Sequence, residues 1–534
     1  MKNLNRLDIK MRFLLPTLLA TFFIVLSCSE DLLDKSDPGS GTMEGFFNSE
    51  ETLLMGVSGV YEALWPSGDW MTGGAGVWGD NFVYHIYEMD DLTEYSSGGG
   101  LGGYSAVARG TVNSLSGGGI SGRWNKGYAA MSRINNMLEV IPTVEGISSQ
   151  ANAAIEGELR FLRAWIYFEM TKAYGDLPLL TSVLSAEAIQ EVSRSPASEV
   201  YNQIIADLDW CKSNLPNDSY NGDFGRPTKV TAMTLLGKVY LQQKDYSNAA
   251  SNLEQVIALE GTKVGLHPDF KAVKNGGAEQ SNEIIFSLQA TNDNEGHTEY
   301  YSGGFGQGHT QSWGGEHHGW HGYRLGENII DDFSALEGQT PSGRYDWQKK
   351  DQRLIGSFRL PGDTFRGSVI VEDDFVLFGS KNSEAPGVAL AYMRLGVLDE
   401  GNDQTTWTSP VDLNILRYAD VLLMYAEAKN ESSGPDASVY SAVNKIRQRA
   451  GIGDALVGMS QTDMRAEIRL QRKLEFIGEA SRYWDLKRYG TDVEVINSNP
   501  IAAQQGGNNY KGGYWPIPQG AVDSSPNIDQ TTGY

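Results

Sequence analysis

The residues best suited to chemistry crowd one stretch of this 534-residue chain. Between His297 and Tyr323 lie Tyr300, Tyr301, His309, Trp313, His317, His318, Trp320, His321 and Tyr323, threaded by eight glycines. Five of the chain's seven histidines fall there. Neither a helical nor an alternating period organises the stretch, so it reads as a loop. A flat ring on a loop can stack against an apolar ligand face while short polar groups bond the ligand's rim. Trp313 and Trp320 are the first candidates for such platforms, with Tyr301, Tyr323 and His318 beside them. A second glycine-rich and aromatic stretch runs from Gly68 to Gly122. There Trp70 and Trp78 stand beside Asp69 and Asp80, which pairs a stacking surface with a hydroxyl acceptor. Trp65, next to Pro66 at a helix end, reads as packing.

Other chemistries fit less well. His317 and His321 have the i, i+4 spacing that on a helix would aim two imidazoles at one metal. Gly314, Gly315, Gly319 and Gly322 argue against a helix there, so no metal or other cofactor is expected. No nucleophile elbow, phosphate loop or zinc-helix motif appears, and no catalytic residue is assigned. The formal charge of −24 would repel a polyphosphate, which disfavours nucleic acid as a partner. Two cysteines exclude a disulfide framework.

The elements that must position these loops are helical. A helix of about fifteen residues is expected from Ser49. Over residues 151–174, Ile155, Leu159, Leu162, Ile166 and Met170 recur at three- and four-residue steps. The pattern stops at Gly175, with Pro178 just beyond. Residues 197–214 predict another helix, and 229–259 a pair. In that pair Leu236, Gly237, Tyr240, Ala249 and Leu253 have the offsets of a tetratricopeptide repeat, whose small residues let two helices approach closely. A second pair spans Leu416 to Ala450, and a single last helix is expected from Met464 to Lys487. Trp124, Trp165 and Trp484 sit at core spacing.

The start of the chain predicts export. Lys2, Arg6, Lys10 and Arg12 precede an uncharged run, Phe13 to Leu26, too short to span a bilayer. The run ends Val25-Leu26-Ser27-Cys28, which resembles the lipobox of bacterial lipoproteins, where the matching cysteine is acylated. Residues 1–27 are therefore read as a signal peptide, and Cys28 as the lipid anchor to the membrane. Removal of four basic groups and one acidic group leaves a mature charge of −27. Residues 28–48 form a tether, whose Ser29-Glu30-Asp31 resembles the export signal of surface lipoproteins in the Bacteroidetes.

Several ordered blocks resemble the SusD/RagB-like lipoproteins of that phylum. They are Glu158-Leu159-Arg160-Phe161-Leu162-Arg163-Ala164-Trp165 continuing to Tyr174-Gly175-Asp176-Leu177-Pro178; Arg226-Pro227-Thr228-Lys229; Glu283-Ile284-Ile285-Phe286; Leu416-Arg417-Tyr418-Ala419-Asp420; and Arg472-Lys473-Leu474-Glu475 through Arg482-Tyr483-Trp484-Asp485. The resemblance implies a mainly α fold, a scaffold of four tetratricopeptide-like helix pairs with long irregular ligand-binding insertions. It implies one domain over residues 49–534, with insertions at about 66–122 and 262–410. It further implies a non-enzymatic, surface-exposed outer-membrane protein that captures glycans for a SusC-like TonB-dependent transporter. RagB-type members suggest peptide as the alternative cargo, and a lid without its own site is a third reading. Arg160, Arg163, Asp176 and Arg417 are expected to be buried or half-buried ion-pair and turn residues that hold the scaffold to the loops. The negative surface disfavours polyanionic glycans, unless Arg109, Arg123 and Arg324 form a local basic patch.

Overall fold

A computed structural model of the chain describes residues 43–64, 92–94, 112–116, 119–289, 323–325, 327–336, 351–365, 368–371, 376–377, 380–381, 392–393, 411–453, 455–479, 481–498 and 509–534. Ten helices form the scaffold. They are α1 (Glu50–Leu64), α2 (Gly119–Val140), α3 (Ser149–Tyr174), α4 (Ala197–Asn214), α5 (Lys229–Gln242), α6 (Tyr246–Ile257), α7 (Tyr418–Ser433), α8 (Ala437–Ala450), α9 (Gln461–Glu475) and α10 (Arg482–Tyr489). The pairs α1/α2, α3/α4, α5/α6 and α7/α8 each pack together, and α6 lies on α7 to join the halves.

Local chemistry sets the boundaries. Ser148 caps α3 by accepting from the Ala151 amide at 3.1 Å, which satisfies one of the orphan donors of a first turn. Gly175 ends α3 at φ +75°, and a Cβ there would stand 2.9 Å from the Tyr514 ring. Only glycine meets both demands. The Asp176 carboxylate then accepts from the Ala197 amide at 2.8 Å and so starts α4. Thr228 and Thr231 form a reciprocal capping box at α5. Gly237 fulfils its repeat role, because a Cβ would lie 2.6 Å from Leu253 of α6.

Residues 464–487, expected as one helix, are two. Gly478 at φ +78° and a turn from the Glu479 amide to the Phe476 carbonyl separate α9 from α10. The break folds Asp485 back onto Arg472, with 2.9 Å from Nε to the carboxylate. A continuous helix would hold these side chains more than three turns apart.

The main core joins α1 to α5 with Phe286, Trp484 and Trp515. Trp124, Trp165 and Trp484 are buried, as their spacing predicts. A smaller core lies between α6, α7, α8 and α9. Among the described residues no helix is long and apolar enough to cross a membrane.

Candidate ligand-binding face

The two insertions meet. Leu92–Glu94, from the first, pairs antiparallel with Tyr323–Leu325, from the second, in the register Leu92 to Leu325, Thr93 to Arg324 and Glu94 to Tyr323. Some 230 residues of chain separate the partners, so this ladder directly links the two insertions.

Each insertion is also fastened to the scaffold. The first returns through a turn whose Ser114 carbonyl accepts from the Gln519 amide at 2.8 Å. In the second, Ile284–Leu288 pairs antiparallel with Leu413–Arg417. Two residues beyond the ladder, the helix Glu327–Leu336 sinks Ile329, Ile330 and Phe333 into the main core. Asp332 of that helix accepts from Lys473 of α9 at 2.7 Å. Further on, Arg353 bonds Asp351 and Gln471, all three fully buried, so Gln471 supplies a second fixed point on α9. The described residues of the segment 262–410 also include the helices Phe270–Asn275 and Gln352–Ser357 and the antiparallel strand pairs Thr364–Phe365/Ser368–Val369 and Val376–Leu377/Ser380–Lys381.

Of the candidates named from sequence, Tyr323 lies in the ladder opposite Glu94. Trp70, Trp78, Asp69, Asp80, Tyr301, Trp313, His318 and Trp320 lie outside the described residues, as does Cys28. Arg123 cannot join a surface patch. It is fully buried, stacked 5.6 Å from the Trp484 ring and 5.5 Å from Trp515, and bonded to the Glu169 carbonyl at 3.0 Å. Arg324 stands in the ladder opposite Thr93, and Arg109 lies outside the described residues.

The ionisable residues of the motif blocks are mostly spent inside the scaffold; Asp176, expected to be buried or half-buried, is instead exposed, where it serves the first turn of α4. Arg163 clamps Asp207 through two bonds of 2.7 and 2.8 Å, while the half-buried Arg160 reaches the same carboxylate. Arg226 pairs with Glu158, which also accepts from Tyr61 at 2.8 Å. Arg417 contacts Glu283, Glu475 and Glu479, and this carboxylate cage holds its pKa well above the usual guanidinium range despite burial. Asp420, between Lys238 and Arg472, is buried yet held far below the ordinary carboxylate range by those two cations. Such charges are costly to bury and remain only because each has a partner.

Lys172 is the unexpected member. Its ammonium lies 4.7 Å from the Phe168 ring and 4.8 Å from Trp484, paired with Glu169 at 2.7 Å. Desolvation outweighs that pairing and lowers its pKa to about 8. It borders an internal cavity of about 60 Å³ between α3, α5, α7 and α10, room for a few waters. No sequence signal marked it, since Trp484, the second ring against its ammonium, comes from a distant segment. Among the described residues, no group of three or more His, Cys, Asp or Glu could hold a metal ion.

The comparisons agree with this architecture. A family model described as SusD family matches residues 282–534, and one described as starch-binding associating with outer membrane matches residues 104–241. SusD-like protein P2 of Formosa agariphila is 26% identical over 502 residues, covering 91% of this chain and 93% of that protein. A SusD-like protein from Bacteroides fragilis shares the fold with a TM-score of 0.74 at 22% identity, over 92% of this chain and 99% of that one. Surface glycan-binding protein A from Bacteroides thetaiotaomicron, in complex with laminarihexaose, has a TM-score of 0.70 at 20% identity, over 90% and 99% of the two chains.

Proposed function

The chain belongs to the SusD family, and from that premise we propose that it is a cell-surface glycan-binding protein rather than an enzyme. It captures oligosaccharide or polysaccharide and hands it to a SusC-like TonB-dependent transporter in the outer membrane, to which the acylated Cys28 tethers it. The observation that carries this reading is the antiparallel ladder between the two insertions. A ladder ties the backbone on both sides, which supports the reading that aromatic residues from stretches far apart in sequence act on one ligand. Trp320 is three residues from Tyr323 in sequence.

A sugar ring offers apolar C–H faces rimmed by hydroxyls, which suits Trp313, Trp320, Trp70 and Trp78 as platforms, with Tyr301, Tyr323, Asp69, Asp80 and His318 around them. The scaffold's ion pairs are engaged with one another and contribute rigidity rather than ligand contact.

The test is affinity electrophoresis of residues 29–534 through gels containing neutral and anionic polysaccharides. Retardation by a neutral glycan that is weakened in Trp320→Ala is the expected result. Absence of retardation in every gel overturns glycan capture and transfers the assignment to peptide.

A further inference from the structure

Outside both insertions, a groove of about 370 Å³ runs between α2, residues 178–192 and residues 521–528. Its size lies in the range of small-molecule sites. Sixteen residues line it and none is charged, although 21% of the chain is charged and about three charged residues would be expected at that average. Buried Trp124 and Ile528 form the floor. The short helix Ala186–Gln190 has no buried residue, and Ile189 faces the groove 45% exposed, with Val183 43% exposed nearby. Hydroxyls and amides of Ser132, Ser182, Ser525 and Asn125 complete the lining.

Several backbone groups of the wall are already engaged. The Leu180 amide donates to the Tyr167 hydroxyl at 2.7 Å, and its carbonyl accepts from that hydroxyl and from Asn135 Nδ2. The Val183 amide donates to Glu139 at 2.9 Å, and the Ser182 carbonyl accepts from Asn135. A peptide adding as a strand would need those groups free. An anionic or cationic ligand would find no counter-charge among the sixteen lining residues. What remains complementary is a neutral ligand that presents C–H faces and hydroxyls together.

We propose that this groove is a second, scaffold-borne site for a neutral saccharide segment. The proposal rests on the glycan-capture reading and extends it, because a long chain held at the insertions could lie across the scaffold and engage here as well. Two linked weak contacts hold a polymer better than either alone.

The experiment uses soluble residues 29–534 with laminarin and amylopectin as neutral probes in affinity gels. Ser132→Trp with Ser182→Trp fills the groove at two exposed positions, and the milder Val183→Ser with Ile189→Ser removes its exposed apolar edge. Circular dichroism checks that each variant folds. Retardation weakened about tenfold by either pair, the scale of one lost apolar contact, is the expected result. The loop pair Trp313→Ala and Trp320→Ala should then leave a residual retardation that the groove variants remove. If both groove pairs bind like wild type while the loop pair abolishes retardation, the second site is refuted and glycan capture stands. No retardation of the wild-type protein by these glucans or by any other neutral polysaccharide overturns the groove's assignment to a neutral saccharide, and retardation by an anionic polysaccharide alone leaves capture itself intact.

Discussion

If the ladder between the insertions assembles the binding face, unpairing it must cost affinity and almost no global stability. The perturbation is Thr93→Pro together with Glu94→Pro. Ladder donors alternate along an antiparallel strand, so two successive prolines remove a donor whichever position carries it, and each ring also fixes φ. The Leu92–Glu94 and Tyr323–Leu325 strands are three residues each, so about two to four hydrogen bonds are at stake. At about 1 kcal/mol net per bond, the local loss is about 2–4 kcal/mol, enough to open the ladder. The scaffold does not share that loss. The roots of the second insertion are held by the buried Arg353, Asp351 and Gln471 set and by Ile329, Ile330 and Phe333. Local opening of this kind leaves the global transition nearly in place, and a Tm shift under about 2 °C is expected. Binding behaves differently, because a ligand bridging both insertions would have to order them itself. A loss of about 2 kcal/mol in affinity, roughly thirtyfold, follows if that ordering falls to the ligand. Calorimetry gives the Tm, and titration with the glycan that retards the wild-type protein gives the affinity. Wild-type affinity in the double-proline protein would refute the assembled face and assign binding to one insertion alone.

The scaffold supplies two further tests. Gly237→Ala introduces a Cβ 2.6 Å from Leu253 and should cost about 1–3 kcal/mol in denaturant unfolding by forcing α5 and α6 apart; unchanged stability would mean that this helix pair is loosely packed. Lys172, its pKa depressed to about 8, binds its proton less tightly folded than unfolded, where the ordinary value is about 10.5. The unfolded state therefore holds more protons between those two values, and stability rises as pH rises through that window. From pH 7.5 to 9.5 the gain is about 2 kcal/mol. Lys172→Met should abolish this gain, and an equal rise in the variant would assign it to another group.

The helical scaffold was legible because it depends on short-range signals. Residues 197–214 end where the periodicity ends, and Gly175 and Asp176 act where a cap and a turn were expected. The merging of α9 with α10 fails for an instructive reason. Arg and Glu at helical spacing support a continuous helix locally, but Arg472 pairs with Asp485 and Asp420, and Glu479 with Arg417 and Lys274. Those tertiary pairs require the turn at Gly478. Arg123 misled in the same way, since a cation near loops reads as surface until two tryptophans from the C-terminal part are seen to cover it. The ladder had no sequence signature at all. Leu92-Thr93-Glu94 and Tyr323-Arg324-Leu325 are too short for any periodicity to report, and their pairing is a consequence of where the scaffold holds each insertion.

The distribution of charge explains how one chain can carry both a fixed frame and an adaptable face. The motif blocks place their arginines and carboxylates in buried networks such as Arg163 with Asp207 and Arg417 with Glu283, Glu475 and Glu479. Removing one partner would leave an unpaired buried charge and cost several kcal/mol, so these positions resist change and hold the insertion roots in place. The loops between the roots differ in composition from the motif blocks. They carry glycine, aromatic and short polar residues, whose contacts with a neutral ligand are individually weak and individually replaceable. Ligand specificity can therefore be altered in the insertions without touching the pairs that fold the protein. The uncharged groove beside α2 extends the same separation, since Asn135 ties its wall to the Arg163 and Asp207 network while the surface offered to solvent stays neutral.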